Sequence, residues 1–303
     1  MIIDKIIIIL LYNSIMISIS KIIIFLIIRI LSNPFANLFQ KKLANRNSSI
    51  TINFYAFLIL SILAIPLYRF VEIQNYNLYF YFIVLFAGLL CTLGTLCLIK
   101  SIEIGELSVI GPINAYKSII GLITAFFLLD EFPTLFGIFG IFLIICGTKF
   151  IFFKDVEGFS FDLLKRKDIQ FRILALILTG IEAAFLKQII VLSSIEASFV
   201  LWCINGTLFS LVLLLINKKK IVLSEKIDYT MCFIIAICLG LMQYSTNYIF
   251  KFMNVGYALA LFQLSSIVNV IIGYKIFNEK HFRYKLLGCV IMIIGSCLII
   301  LKS

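Results

Sequence analysis

Lys117 and Glu182 stand inside apolar runs long enough to cross a bilayer, which makes them the residues best placed to do chemistry. A charge at the bilayer centre costs about 2.5 to 3.5 kcal/mol on insertion scales, so each is expected to face a bundle interior and find a partner or a pathway. Three readings of the pair stand open. They neutralise each other and fix helix packing. Alternatively, they face a cavity and bind the carboxylate and ammonium of a zwitterionic solute, or Glu182 carries a coupling proton, since burial disfavours a charged carboxylate. In the third reading one of them snorkels to water.

A second set of side chains is polar but uncharged. Gln243, Ser245 and Asn247 share one apolar run, and Gln263, Ser265, Ser266 and Asn269 share the next. Gln243 and Asn247 are spaced i, i+4, as are Ser265 and Asn269, so each pair lies on one helix face. Such residues either bond helix to helix, at about 0.6 kcal/mol each, or contact a solute. Asn33, Asn37, Asn114, Tyr116, Trp202 and Asn205 are weaker members. The candidate solute-binding set is Lys117, Glu182, Gln243, Asn247, Gln263, Ser266, Asn269, Tyr116 and Asn37. Lys41 and Lys187 end corresponding runs beside Gln40 and Gln188, and Lys100 and Lys251 end another matched pair. These four are expected to anchor helix ends at the interface or to form an electropositive lip.

Other chemistries lack their parts. The eight cysteines fall inside apolar stretches and form no C-x-x-C pair, so they read as small buried hydrophobes. His281 is the single histidine, too few for a zinc site or a histidine base. No glycine-rich phosphate loop is present. No cofactor is expected, and an intramembrane enzyme would need a nucleophile, base and metal grouping that these residues do not supply.

The elements that must position the polar residues are membrane helices. Of the 303 residues, 62% are hydrophobic and 14% charged, well beyond the roughly 45 to 50% apolar share of soluble domains. Apolar segments of about twenty residues match a hydrocarbon core of ~30 Å. Ten helices are expected at 19 to 41, 51 to 71, 78 to 100, 104 to 129, 133 to 153, 169 to 191, 195 to 217, 229 to 250, 255 to 278 and 282 to 301. Segments 45 to 49, 72 to 77, 130 to 133, 154 to 168 and 218 to 228 are too polar for lipid. Residues 1 to 18 precede the first helix and read as an extra helix, an interfacial segment or an upstream extension of a start at Met16.

Five of these spans are written twice. Asp130-Glu131, Gly140 and Gly147 recur 148 residues later as Asn278-Glu279, Gly288 and Gly295, while Lys100 and Gly105 recur as Lys251 and Gly256. The first copy is expected over 19 to 153, the connector over 154 to 168 and the second copy over 169 to 303. An odd span count makes the second copy enter from the opposite face, which gives two inverted halves. The glycines, seven apart in each copy, are expected to let a neighbouring backbone approach.

The net charge of +11 sits between spans. Lys165-Arg166-Lys167, Lys218-Lys219-Lys220 and Lys280, Arg283 and Lys285 occupy short connectors, a pattern that sets orientation rather than one that binds nucleic acid. The charge count puts the connectors after the odd-numbered helices in the cytoplasm.

The stretch Ile104 to Pro112, then Leu129-Asp130-Glu131 and the Gly140/Gly147 helix, resembles the first-half signature of the drug/metabolite transporter superfamily, EamA type. Gln263 to Ser266, Gly273-Tyr274, Phe277-Asn278-Glu279 and the Gly288/Gly295 helix resemble its second half. The resemblance spans roughly 19 to 301. It implies an all-α polytopic membrane protein, ten helices as two inverted five-helix repeats in a basket-like bundle around a central cavity. It also implies cytoplasmic termini, against the charge count, and many members have proline where Ser118 and Ser266 stand.

The expected function is secondary transport of a small metabolite or drug-like molecule, amino-acid-like in one version, across the cell (inner or plasma) membrane. The mechanism would be alternating access, proton-coupled or by exchange. The expected partners are that solute, membrane lipid and a coupling proton, in a monomer or homodimer. The alternatives are an intramembrane enzyme and a non-transporting membrane scaffold. A channel would want a repeated filter or rings of like charge, and none is visible.

Overall fold

The structure, a computed structural model, describes residues 2–72, 76–105, 113–152, 165–216, 228–278 and 282–302. Motif residues 106–112, Glu279, Lys280, His281 and the Lys218-Lys219-Lys220 cluster lie outside the described residues. The described residues form α-helices joined by short turns: α1 (Ile2–Ala44), α2 (Ser49–Leu63), α3 (Leu78–Ile104), α4 (Lys117–Leu129), α5 (Leu135–Phe152), α6 (Lys167–Leu192), α7 (Ile195–Ile216), α8 (Tyr229–Phe252), α9 (Val255–Phe262), α10 (Ser265–Phe277) and α11 (Phe282–Lys302). Among the described residues, six stretches are long and apolar enough to cross a membrane, with three shorter apolar helices beside them. Large apolar side chains such as Phe82, Phe127, Phe139 and Leu215 face outward, while Gln40, Asn53, Asn247 and Asn269 are buried. That inside-out distribution suits lipid rather than water.

Helix boundaries follow local chemistry. The α2 helix starts where the Thr51 N–H donates to Ser48 Oγ at 3.3 Å and ends at Leu63 rather than running to residue 71. Pro66 lacks an N–H and clashes with a continuing helix, so Ile65–Phe70 forms a 3-10 turn instead. The α1 helix runs unbroken from Ile2 to Ala44, with Pro34 inside it, and its stretch Ser20–Ala44 is long and apolar enough to cross a membrane.

The expected helix over 255 to 278 is broken in two. At Gln263 and Leu264 the bonding tightens: the Gln263 N–H donates to Ala260 O at 3.0 Å and the Leu264 N–H to Leu261 O at 3.0 Å, both i to i−3 bonds. Two side chains bond the backbone there. Gln263 Nε2 donates to Leu259 O at 3.0 Å and Ser266 Oγ to Gln263 O at 2.6 Å. A 3-10 turn at Asn114–Tyr116 stands 148 residues earlier, and Lys117 follows it as the first residue of α4 rather than the middle of a helix.

The two copies interleave. The α1 helix packs on α8 and α3 packs on α6, while α2 meets α7, α5 meets α11 and α4 meets α9. The α5/α11 seam is set by glycine. A Cβ on Gly147 would lie 2.6 Å from Gly288 O, and one on Gly295 would lie 2.5 Å from Gly140 O. The early glycine of one helix therefore faces the late glycine of the other, so the two helices run antiparallel with backbones touching. Asp130 and Asn278, the only non-glycine residues with positive φ among those described, end α4 and α10 at φ 53° and 54°. Their short polar side chains tolerate this left-handed position.

Candidate functional site

Periodicity on four long helices builds a polar chamber between the copies. On α1, Arg29, Asn33, Asn37 and Gln40 recur at steps of four, four and three, which places them on one face. The same rule aligns Arg172, Thr179 and Glu182 on α6, Cys91 and Thr95 on α3, and Gln243 and Thr246 on α8. Lys117 enters from the start of α4 and Asn114 from the 3-10 turn before it, and Leu259 and Phe262 enter from α9. Trp202 and Phe57 close the lining from α7 and α2. The chamber has a volume of about 100 Å³.

Among the described residues, the chamber lining holds three cations and one carboxylate. Arg29 is buried, its Nε donates to Thr246 Oγ1 at 2.9 Å, and its guanidinium lies 4.6 Å from the centre of the Phe262 ring. Among the described residues its buried Nη1 has no hydrogen-bond partner, nor do the buried Nε of Arg172 and Oε1 of Glu182. No ion pair joins Lys117 to Glu182 or to any other described carboxylate. The two line the same chamber without direct contact.

A second charged cluster ties the copies together at one end. Lys187 donates to Glu131 Oε1 and, at 2.8 Å, to Met253 O. The Val255 N–H donates to Glu131 Oε2 at 2.8 Å. One carboxylate thus pairs a lysine and caps α9, the position at a helix N-terminus that favours an anion. In the first copy Lys41 donates to Gly105 O at 3.1 Å, so both lysines reach main-chain carbonyls of the protein. Lys100 instead bonds Glu103 at 2.7 Å. Lys285, expected in a solvated connector, is 1% exposed.

With that geometry in view, the model of the EamA-like transporter family matches residues 20–153 and again 167–301. The chain belongs to that family. No curated protein matches it. A solved structure described only as "Crystal structure of protein" is 12% identical and superposes with a TM-score of 0.72, covering 94% of this chain and 99% of its own. At that identity the likeness speaks for the fold. The EamA-like chain is therefore a membrane protein of a transporter family, built from two copies of the family's unit.

Of the nine residues singled out in the sequence, this EamA-like chain brings Lys117, Glu182, Gln243 and Asn37 to the chamber. The other five lie elsewhere. Asn247 is fully buried, its amide 2.9 Å from Ser198 Oγ on α7 and 3.0 Å from the Gln243 amide. Gln263 and Ser266 bond the backbone at the break in the helix. Asn269 is buried in α10, and Tyr116 packs against Ile113, Ile169 and Leu176. Sequence reasoning missed Arg29, Arg172 and Gln40. Arg29 was findable, because Ile-Ile-Arg-Ile-Leu puts a charge at mid-span exactly as Lys117 does. Arg172 lies six residues past Arg166 and reads as the tail of a basic connector.

Proposed function

We propose that this chain is a secondary active transporter that carries a small solute across the cell membrane by alternating access. The observation that carries the reading is the polar chamber, lined by the first and third helices of both copies and holding charged groups that a packing role leaves unpartnered. The ten spans form two inverted five-helix repeats. The reciprocal contacts of α1 with α8 and α3 with α6, and the antiparallel glycine seam, support that inversion. The solute sits among Lys117, Glu182, Gln243 and Asn37, and transport is driven by exchange or by a proton carried on Glu182. The protein is not an enzyme.

Reconstitution tests the reading. Proteoliposomes preloaded with candidate solutes should show saturable uptake that is accelerated by solute on the far side. Flux that rises linearly without saturating would point to a pore, and a sealed membrane for every solute would point to a scaffold.

A further inference from the structure

The chamber carries more positive charge than its own residues neutralise. Among the described residues, Arg29, Lys117 and Arg172 face a space whose one acidic lining residue is Glu182, a surplus of two positive charges. Uncompensated cations at membrane depth are costly, and breaking up a buried charge set leaves the remainder without a counter-ion. Arg29 and Arg172 each hold a buried guanidinium nitrogen with no partner. Arginine presents a rigid fork of donors that matches carboxylate and phosphate oxygens.

We propose that the chamber binds a small organic or inorganic anion through Arg29, Lys117 and Arg172, its acidic groups being carboxylate or phosphate. This inference rests on the carrier reading for the route the anion takes, and on the charge surplus for its chemistry. Size narrows the class. A chamber of about 100 Å³ is well above the roughly 10 to 15 Å³ that a single water needs, so it admits a small solute of several non-hydrogen atoms. The amides of Asn37 and Gln243 are on hand for its uncharged oxygens. A dicarboxylate of four carbons or a phosphate fits these terms, and a polyamine does not.

The test is ligand-dependent melting of the purified full chain, with succinate, inorganic phosphate, leucine and putrescine as probes at millimolar concentration. Succinate or phosphate should raise the melting temperature by about 2 °C or more, because it binds the native state alone. Which of the two does so separates the carboxylate source from the phosphate one. The rise should disappear in Arg172→Gln and in Lys117→Gln. Neither side chain hydrogen-bonds another described residue, whereas Arg29→Gln also loses the bond to Thr246. The proposal is overturned if neither anion shifts melting, if only leucine or putrescine does, or if the shift persists in both variants. Exchange of labelled probe in proteoliposomes separates the two readings. Anion shifts without exchange would keep the anion site and remove the carrier. Saturable exchange competed only by leucine or putrescine would keep the carrier and remove the anion.

Discussion

Gly147 and Gly288 meet backbone to backbone, so that a methyl group on Gly147 would sit 2.6 Å from the Gly288 carbonyl oxygen. The mirror contact, Gly295 on Gly140, leaves even less room. Neither carbonyl can swing aside as a side chain would. Gly147→Ala and Gly295→Ala should therefore each lower the melting temperature in detergent, by the loss that goes with overpacking of about 1 to 3 kcal/mol. An unchanged melting curve in both would mean that α5 and α11 do not touch there.

Glu131 serves a lysine and a helix end at once. Glu131→Ala should destabilise by about 3 to 5 kcal/mol, because Lys187 is then left nearly buried without its counter-ion. Glu131→Gln should cost less, since its carbonyl still accepts from the Val255 N–H. Adding Lys187→Met to Glu131→Ala should recover part of the loss. A double-mutant cycle on thermal stability measures this coupling, and strict additivity of the two changes would reject the tie.

The left-handed caps make a subtler prediction. Asp130→Val places a β-branched residue at φ 53° and should destabilise by about 1 to 2 kcal/mol, while Asp130→Gly should be neutral or mildly stabilising. The same ordering is expected at Asn278. Equal melting temperatures for the valine and glycine variants would argue that the turn is not held in this conformation.

Transport supplies the fourth prediction. Lys117→Ala and Glu182→Gln should each slow exchange about tenfold or more, the loss that follows removal of a charged hydrogen-bonding group worth about 1.5 to 3 kcal/mol. Both proteins should still reach the membrane, because neither residue forms an ion pair with a described residue. Wild-type exchange in either variant removes that residue from the site.

The sequence made the rough place of the apolar helices legible, because twenty-residue apolar runs carry their own length scale. The repeat was legible too, through Gly140/Gly147 and Gly288/Gly295. What stayed hidden was three-dimensional. Gln263 and Ser266 look like binding residues in a string of letters, yet their hydrogen bonds go to carbonyls released by a break in the helix, and polarity alone does not reveal a break. Asn247 looks the same as Gln243 by spacing, but α7 covers one and the chamber opens on the other. Lys187 reads as an interfacial anchor until the fold brings Glu131 and the Met253 carbonyl at the end of α8 against it.

The interleaved packing has a consequence for synthesis. Arg29 on α1 finds Thr246 on α8, and 217 residues separate them. At translation rates of about 5 to 20 residues per second, roughly 10 to 40 s elapse between the two leaving the ribosome. During that interval the newborn first segment holds a guanidinium that the finished protein would shelter. It must wait against the insertion machinery, a lipid headgroup or trapped water until its distant mate arrives.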